Sequence, residues 1–111
     1  MKIVNRQVFL AMPAGTIYSK YVPCMFGDLY IKGDSLTSDW YEQAIVDAIA
    51  HDDSTEFHDK LIHAEKYGDS LVMDFECEQR DGLFNADQLF AIWERADVAQ
   101  LIARLQKTLE Q

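Results

Sequence analysis

Three carboxylates alternate with apolar residues at positions 73–78, a pattern that can carry acid–base chemistry or hold a cation. The acids are Asp74, Glu76 and Glu78, and the residues between them are apolar. Strict alternation predicts a strand with one face in the core and the other in water. Because the neighbouring sequence holds neither histidine nor lysine, we interpret the acids, with Arg80, as a solvated partner-binding face rather than a catalytic one.

The histidines lie in an acid-rich region, which raises the question of a metal site. His58 and His63 are five residues apart, a spacing that rotates them by about 140° around a helix, whereas a helical zinc motif needs residues four apart on one face. Gly27 and Gly33 are isolated, which argues against a phosphate-binding loop. The sequence therefore predicts neither a metal nor another cofactor, and it favours a protein that is not an enzyme.

Aromatic and basic side chains alternate with apolar ones in two neighbouring segments, "TIYSKYVP" and "DLYIKG". Both segments are predicted to be strands that pair with each other. One face of the pair carries Tyr18, Lys20, Tyr30 and Lys32, which we expect to point into water. Such a face is the alternative candidate site, for an anionic small ligand or for a small enzyme.

Leu83 and Phe84 follow an Asp-Gly turn signal inside a polar segment. A two-residue hairpin at this turn would oppose like charges and mix core with solvent positions, which costs on the order of 1 kcal/mol per bad pair. A loop over residues 79–87 avoids that register and lets a strand over 73–77 pair with "QLFAIW". Leu83 and Phe84 then lie on the loop, where Phe84 is either buried against the core or exposed as an apolar anchor for a partner.

Local signals place the remaining elements. Asn5 predicts the start of a short helix that Pro13 and Gly15 end. Residues 40–50 suit a helix or a strand, and a helix is favoured. Asp53 with Glu56 predicts a capping box for a helix that ends at Gly68.

A C-terminal amphipathic helix begins with a capping box formed by Asp97 and Gln100. Its apolar stripe is Val98, Leu101, Ile102, Leu105 and Leu109. Together the elements predict one α+β domain over residues 1–111, with an antiparallel sheet of about four strands and two to four helices on one face.

Charge is the strongest compositional signal. The chain carries 19 acids against 10 lysines and arginines, a net charge of -9, and residues 28–97 hold 18 of the acids and only five of the bases. Such a field repels phosphate backbones and anionic membranes and attracts basic proteins. The sequence lacks an apolar run long enough to span a membrane, and it lacks an export signal. We therefore expect a cytoplasmic protein in which Cys24 and Cys77 are free thiols.

Several segments resemble small proteins encoded by tailed bacteriophages and prophages. They are "MPAGTIYSKY", "FGDLYIKGD" and "RDGLF" followed by "QLFAIWERADVAQLIARL". The resemblance covers most of the chain but assigns no role to any residue. It implies work in a bacterial cytoplasm, where compact acidic phage proteins bind host proteins such as nucleic-acid-binding defence or transcription machinery.

The sequence thus predicts an acidic interaction protein that binds a basic surface of a host protein or associates with itself. Its expected contact residues are Asp74, Glu76, Glu78, Arg80, Leu83 and Phe84. Direct contact with nucleic acid or with a membrane is not expected.

Overall fold

The described residues, 1–82 and 84–110 of a computed structural model, form an α+β fold around one antiparallel sheet. The fold class and the antiparallel pairing were predicted correctly, but the sheet has six strands rather than four. The elements along the chain are β1 Lys2–Asn5, α1 Arg6–Leu10, β2 Ile17–Val22, β3 Met25–Ser35, β4 Trp40–Ala44, α2 Ser54–Tyr67, β5 Glu78–Asp81, β6 Leu89–Trp93 and α3 Arg95–Leu109.

The strands are arranged in the order β1-β6-β2-β3-β4-β5. The predicted hairpin of β2 and β3 forms, with Tyr18 opposite Tyr30. β6 inserts between β1 and β2, and its Phe90 lies opposite Lys20. Antiparallel partners share a face of the sheet, so these pairings define a core face that carries Tyr18, Lys20, Tyr30 and Phe90.

The core lies on this face, under the short helix α1. Phe9 of α1 stacks on Phe90 with ring centroids 4.0 Å apart, and it also meets the rings of Tyr18 and Trp40. The side chain of Asn5 accepts a hydrogen bond from the backbone nitrogen of Val8 at 2.9 Å, which starts the helix as predicted. The cap therefore fixes the position from which Phe9 enters the core.

Residues 40–44, for which a helix was favoured, form strand β4. The helical prediction is wrong because Trp40 and Glu42 point to the core face, where they face Asp81 and Gln79 of β5. Alternation over a few residues suits a strand as well as a helix, and pairing with both neighbours decides the outcome.

The alternation at 73–77 does not produce the predicted strand. Asp74 and Glu76 lie in the segment before β5, where the Asp74 side chain accepts a hydrogen bond from the backbone nitrogen of Glu76 at 3.0 Å. This local bond is typical of an Asx turn, which competes with extended structure. The predicted pairing of this segment with β6 is also wrong, since β6 pairs with β1 and β2 and the neighbouring β5 pairs with β4.

Helix α2 begins and ends where it was predicted, whereas α3 begins one turn earlier than predicted. Asp53 caps α2 by accepting from the backbone nitrogen of Glu56 at 2.8 Å, and Gly68 ends it in the left-handed conformation. The N-cap of α3 is Glu94, which forms the capping box with Asp97. The box was predicted one turn too late, because Asp97 is its closing member rather than its first.

Candidate functional site

Tyr18, the first residue of the alternative ligand-binding set, is completely buried at the centre of the core face. Its hydroxyl accepts a hydrogen bond from Nε1 of Trp40 at 2.8 Å and donates one to Oε2 of Glu42. Burial raises the pKa of Tyr18 far above its usual range, and the Glu42 carboxylate adds to the effect. The prediction that Tyr18 faces water is therefore wrong, since its phenol is a satisfied part of the core.

Lys20 forms an ion pair with the buried Asp81 and acts through its charge on the buried Glu42. Its ammonium group is 2.6 Å from Oδ2 of Asp81 and 5.7 Å from the ring centroid of Trp40. Burial raises the pKa of Glu42, while the hydrogen bond from Tyr18 and the charge of Lys20 oppose that rise. Lys20 thus compensates negative charge inside the core face, an arrangement typical of a structural ion cluster.

Lys32 and Tyr30 complete the alternative set, and Lys32 is only 2% exposed. The Lys32 ammonium donates to the backbone oxygens of Met12 at 2.9 Å and of Gly33 at 3.1 Å. Burial lowers the pKa of Lys32 and raises the pKa of Tyr30 to about 12. Lys32 was expected to face water and does not, so its charge serves to hold the segment after α1 against β3.

Arg6 is a core residue that sequence reasoning missed. Its guanidinium lies 5.0 Å from the ring centroids of both Trp40 and Phe84, and it donates a hydrogen bond to the backbone oxygen of Ser38. Among the described residues, its Nε is the buried side-chain atom left without a hydrogen-bond partner. An arginine at the first position of a short helix carries no local sign of burial, so only the packing identifies it.

The residues predicted to bind a partner separate into three places. Asp74 and Glu76 precede β5, while Glu78 and Arg80 lie within it. Arg80 donates from Nε to Asp39 at 2.6 Å, which raises the pKa of Arg80. Phe84 lies in the connection from β5 to β6 and is 70% exposed, and Leu83 lies outside the described residues.

Negative charge is concentrated between β4 and β5. Residues 45–77, which we name the acidic insertion, hold nine acids against Lys60 and Lys66. Two backbone hydrogen bonds close it at its base, from Ala50 to Val72 at 2.9 Å and from Asp74 to Ala48 at 2.7 Å. The insertion is thus a closed excursion from the sheet that carries most of the excess charge.

Large apolar side chains are exposed on the same insertion. They are Val46, Leu61, Ile62, Tyr67, Val72, Met73 and Phe75. Every residue of α2 retains some exposure, and its Glu56 and Lys60 form an ion pair at 2.8 Å across one turn. An acidic surface with exposed apolar groups is a surface to which a basic and partly apolar partner is complementary.

A cavity of about 180 Å³ lies where the acidic insertion meets the sheet. His51, Phe57, Asp74 and Cys77 contribute to its wall, and Nδ1 of His51 is 2.6 Å from the backbone oxygen of Ile49. Within residues 1–82 and 84–110, no group of three or more histidine, cysteine or acidic side chains is placed to hold a metal.

Comparison with protein-family models, with curated proteins and with solved structures finds no match to this chain. Among the described helices, none is long and apolar enough to cross a membrane. The surface of the protein is thus the basis for a functional proposal.

Phe84 provides a test of its predicted role as an exposed anchor. We expect Phe84→Ala to lower the free energy of unfolding by about 1 kcal/mol or less, because the ring is exposed and a cation–π contact such as that with Arg6 is worth about this much. Urea denaturation of the variant and the parent protein measures this. A loss of about 3–5 kcal/mol, typical of a core aromatic, would instead place Phe84 in the core.

Proposed function

We propose that the protein is a non-enzymatic interaction protein that binds a basic surface of another protein through its acidic insertion. The observation that carries this proposal is the concentration of nine acids and two bases in residues 45–77, together with exposed apolar side chains. Charge complementarity speeds encounter and selects the partner, whereas desolvated apolar contacts hold the complex.

The resemblance to phage-encoded proteins suggests the class of partner. A bacterial protein that binds nucleic acid presents lysine and arginine over its binding surface, and an acidic protein competes with the phosphate backbone for it. We therefore propose a nucleic-acid-binding defence or transcription protein of the host as the partner. The exposed apolar side chains would then contact the apolar parts of that surface.

A charge-neutralised insertion tests the proposal. One variant removes four exposed acids from the insertion, by Asp52→Asn, Asp59→Asn, Glu65→Gln and Glu76→Gln. The matched control removes four exposed acids elsewhere, by Asp28→Asn, Asp34→Asn, Asp87→Asn and Glu110→Gln. Both variants change the net charge equally, so a difference between them reports the position of the charge.

The probe is a synthetic helical peptide with lysines on one face and leucines on the other, and calorimetry measures its affinity. We expect neutralisation of the insertion to weaken binding by roughly 10- to 100-fold, and the control to weaken it by roughly 3-fold or less. Raising the salt concentration from about 50 mM to about 500 mM should weaken peptide binding most for the parent protein. Equal losses in the two variants, or binding indifferent to salt, would contradict the proposal.

The same variants extend the test to the natural partner. Capture from a bacterial lysate at low salt should recover a basic protein with the parent chain and with the control, but not with the neutralised insertion. Recovery of the same proteins by all three would mean that the insertion is not the binding surface.

A further inference from the structure

The C-terminal helix α3 leaves most of its apolar stripe uncovered. Val98 and Leu101 are half-buried, whereas Ile102 and Leu105 are 55% and 53% exposed and Leu109 is more exposed still. A helix of 15 residues is marginal in water unless its apolar face packs against something. The second half of α3 therefore presents a face that is suited to being covered.

An apolar groove continues this stripe. The groove encloses about 730 Å³ between the start of α3 and the segment that joins α1 to β2. Its apolar lining includes Met12, Pro13, Ile17, Trp93, Val98 and Ile102. Because Val98 and Ile102 belong to both features, groove and stripe form one continuous apolar surface.

The distribution of charge along the chain favours a second copy of the protein as the partner of this surface. The segments 1–27 and 88–111, which contain β1, β2, β6 and α3, hold six bases and three acids, whereas residues 28–87 hold 16 acids and four bases. Two copies that meet through residues 28–87 would bring together two charges of -12, which is repulsive. Two copies that meet through α3 bring together the parts of the chain without excess negative charge.

We propose that α3 and the adjacent groove form the interface of a homodimer related by a two-fold axis. A helix of 15 residues is about 22 Å long and about 10 Å wide, so two such helices alone fall short of the roughly 800 Å² per partner of a standard interface. The groove adds apolar area beside the helix, and an interface below the standard size is typical of a weak dimer. In a two-fold interface every contact occurs twice, so Ile102 and Leu105 each contribute from both copies.

Sedimentation equilibrium of paired variants tests this interface. The variant Ile102→Asp with Leu105→Asp places charge on the stripe of α3, and the control Leu61→Asp with Ile62→Asp places the same charge on exposed apolar positions of α2. We expect the parent chain to dimerise with a Kd of roughly 1–100 µM. The α3 variant should weaken the dimer by roughly 100-fold or more, and the α2 control by roughly 3-fold or less.

A second variant separates loss of the interface from loss of the helix. Ile102→Ala with Leu105→Ala removes apolar area but favours helix, so we expect circular dichroism unchanged and dimerisation weakened by roughly 10-fold or more. A parent chain that stays monomeric up to about 1 mM, or equal losses from the α2 and α3 aspartates, would overturn the proposal. So would a monomer that binds phospholipid vesicles through Ile102 and Leu105, because the stripe would then be a lipid-binding face.

Discussion

Substitution of Trp40 by alanine is expected to lower the free energy of unfolding by about 3–5 kcal/mol, as large-to-small changes of buried aromatic residues do. Trp40 is completely buried and meets the rings of Phe9, Tyr18 and Phe90. The change also removes the indole N–H that donates to the Tyr18 hydroxyl. A domain with a total stability of about 5–15 kcal/mol loses a large fraction of it.

Urea denaturation at low temperature measures this loss, with Phe75→Ala as the matched control. Phe75 is half exposed, so its truncation should cost about 1 kcal/mol or less. Trp40→Phe keeps an aromatic ring and loses the hydrogen bond, for which we expect about 1–2 kcal/mol. Similar losses for Trp40→Ala and Phe75→Ala would show that the core is not organised around Trp40.

Substitution of Lys20 by methionine is expected to lower the free energy of unfolding by about 2–4 kcal/mol near neutral pH. The reason is that it removes the cation that neighbours two carboxylates of the core face. Methionine keeps much of the apolar stem, so the loss reports the charge. Asp81 loses its ion pair with Lys20, and Glu42 loses a charge that favours its ionised form. Repulsion between the two carboxylates then opposes folding.

The loss should depend on pH with a defined sign. Burial already raises the pKa of Glu42 above its ordinary value of 4.5, and removal of Lys20 raises it further. The folded protein then binds more protons than the unfolded chain above that ordinary value, so the free energy of unfolding falls as pH rises through the raised pKa. The difference between variant and parent should thus be small near about pH 4 and widest near about pH 8.

The exposed Lys2 provides the control for this pH profile. Lys2→Met changes the net charge equally at an exposed position of β1, so we expect a change of about 0.5 kcal/mol or less at either pH. A loss for Lys20→Met that is the same at low and high pH would show that packing of the stem, rather than charge, is responsible.

The two proposals concern segments that are attached at opposite ends of the sheet. The acidic insertion joins β4 to β5, whereas α3 follows β6, and β2 and β3 lie between β6 and β4. A dimer through α3 would carry two acidic insertions. Two linked binding surfaces raise the avidity for a partner that presents two basic sites, so dimerisation and partner binding would reinforce each other.

Local chemistry in the sequence determined the start of α1, both ends of α2 and one hairpin. Asn5, Asp53 and Gly68 act through hydrogen bonds or backbone angles within a few residues, so their roles can be read directly from the sequence. The strands β2 and β3 carry β-branched and aromatic residues on either side of a turn at Pro23, and they pair as expected. The apolar stripe of α3 follows from its spacing alone.

Only the tertiary structure decided which strands pair and which faces are buried. Alternation shows that a strand has two faces but not which one meets the core, and Tyr18 is buried because Trp40 and Glu42, more than 20 residues away, satisfy its hydroxyl. Likewise β6 pairs with β1 and β2 rather than with a neighbour in sequence. These choices depend on desolvation and hydrogen bonding summed over distant segments, which no short stretch of sequence contains.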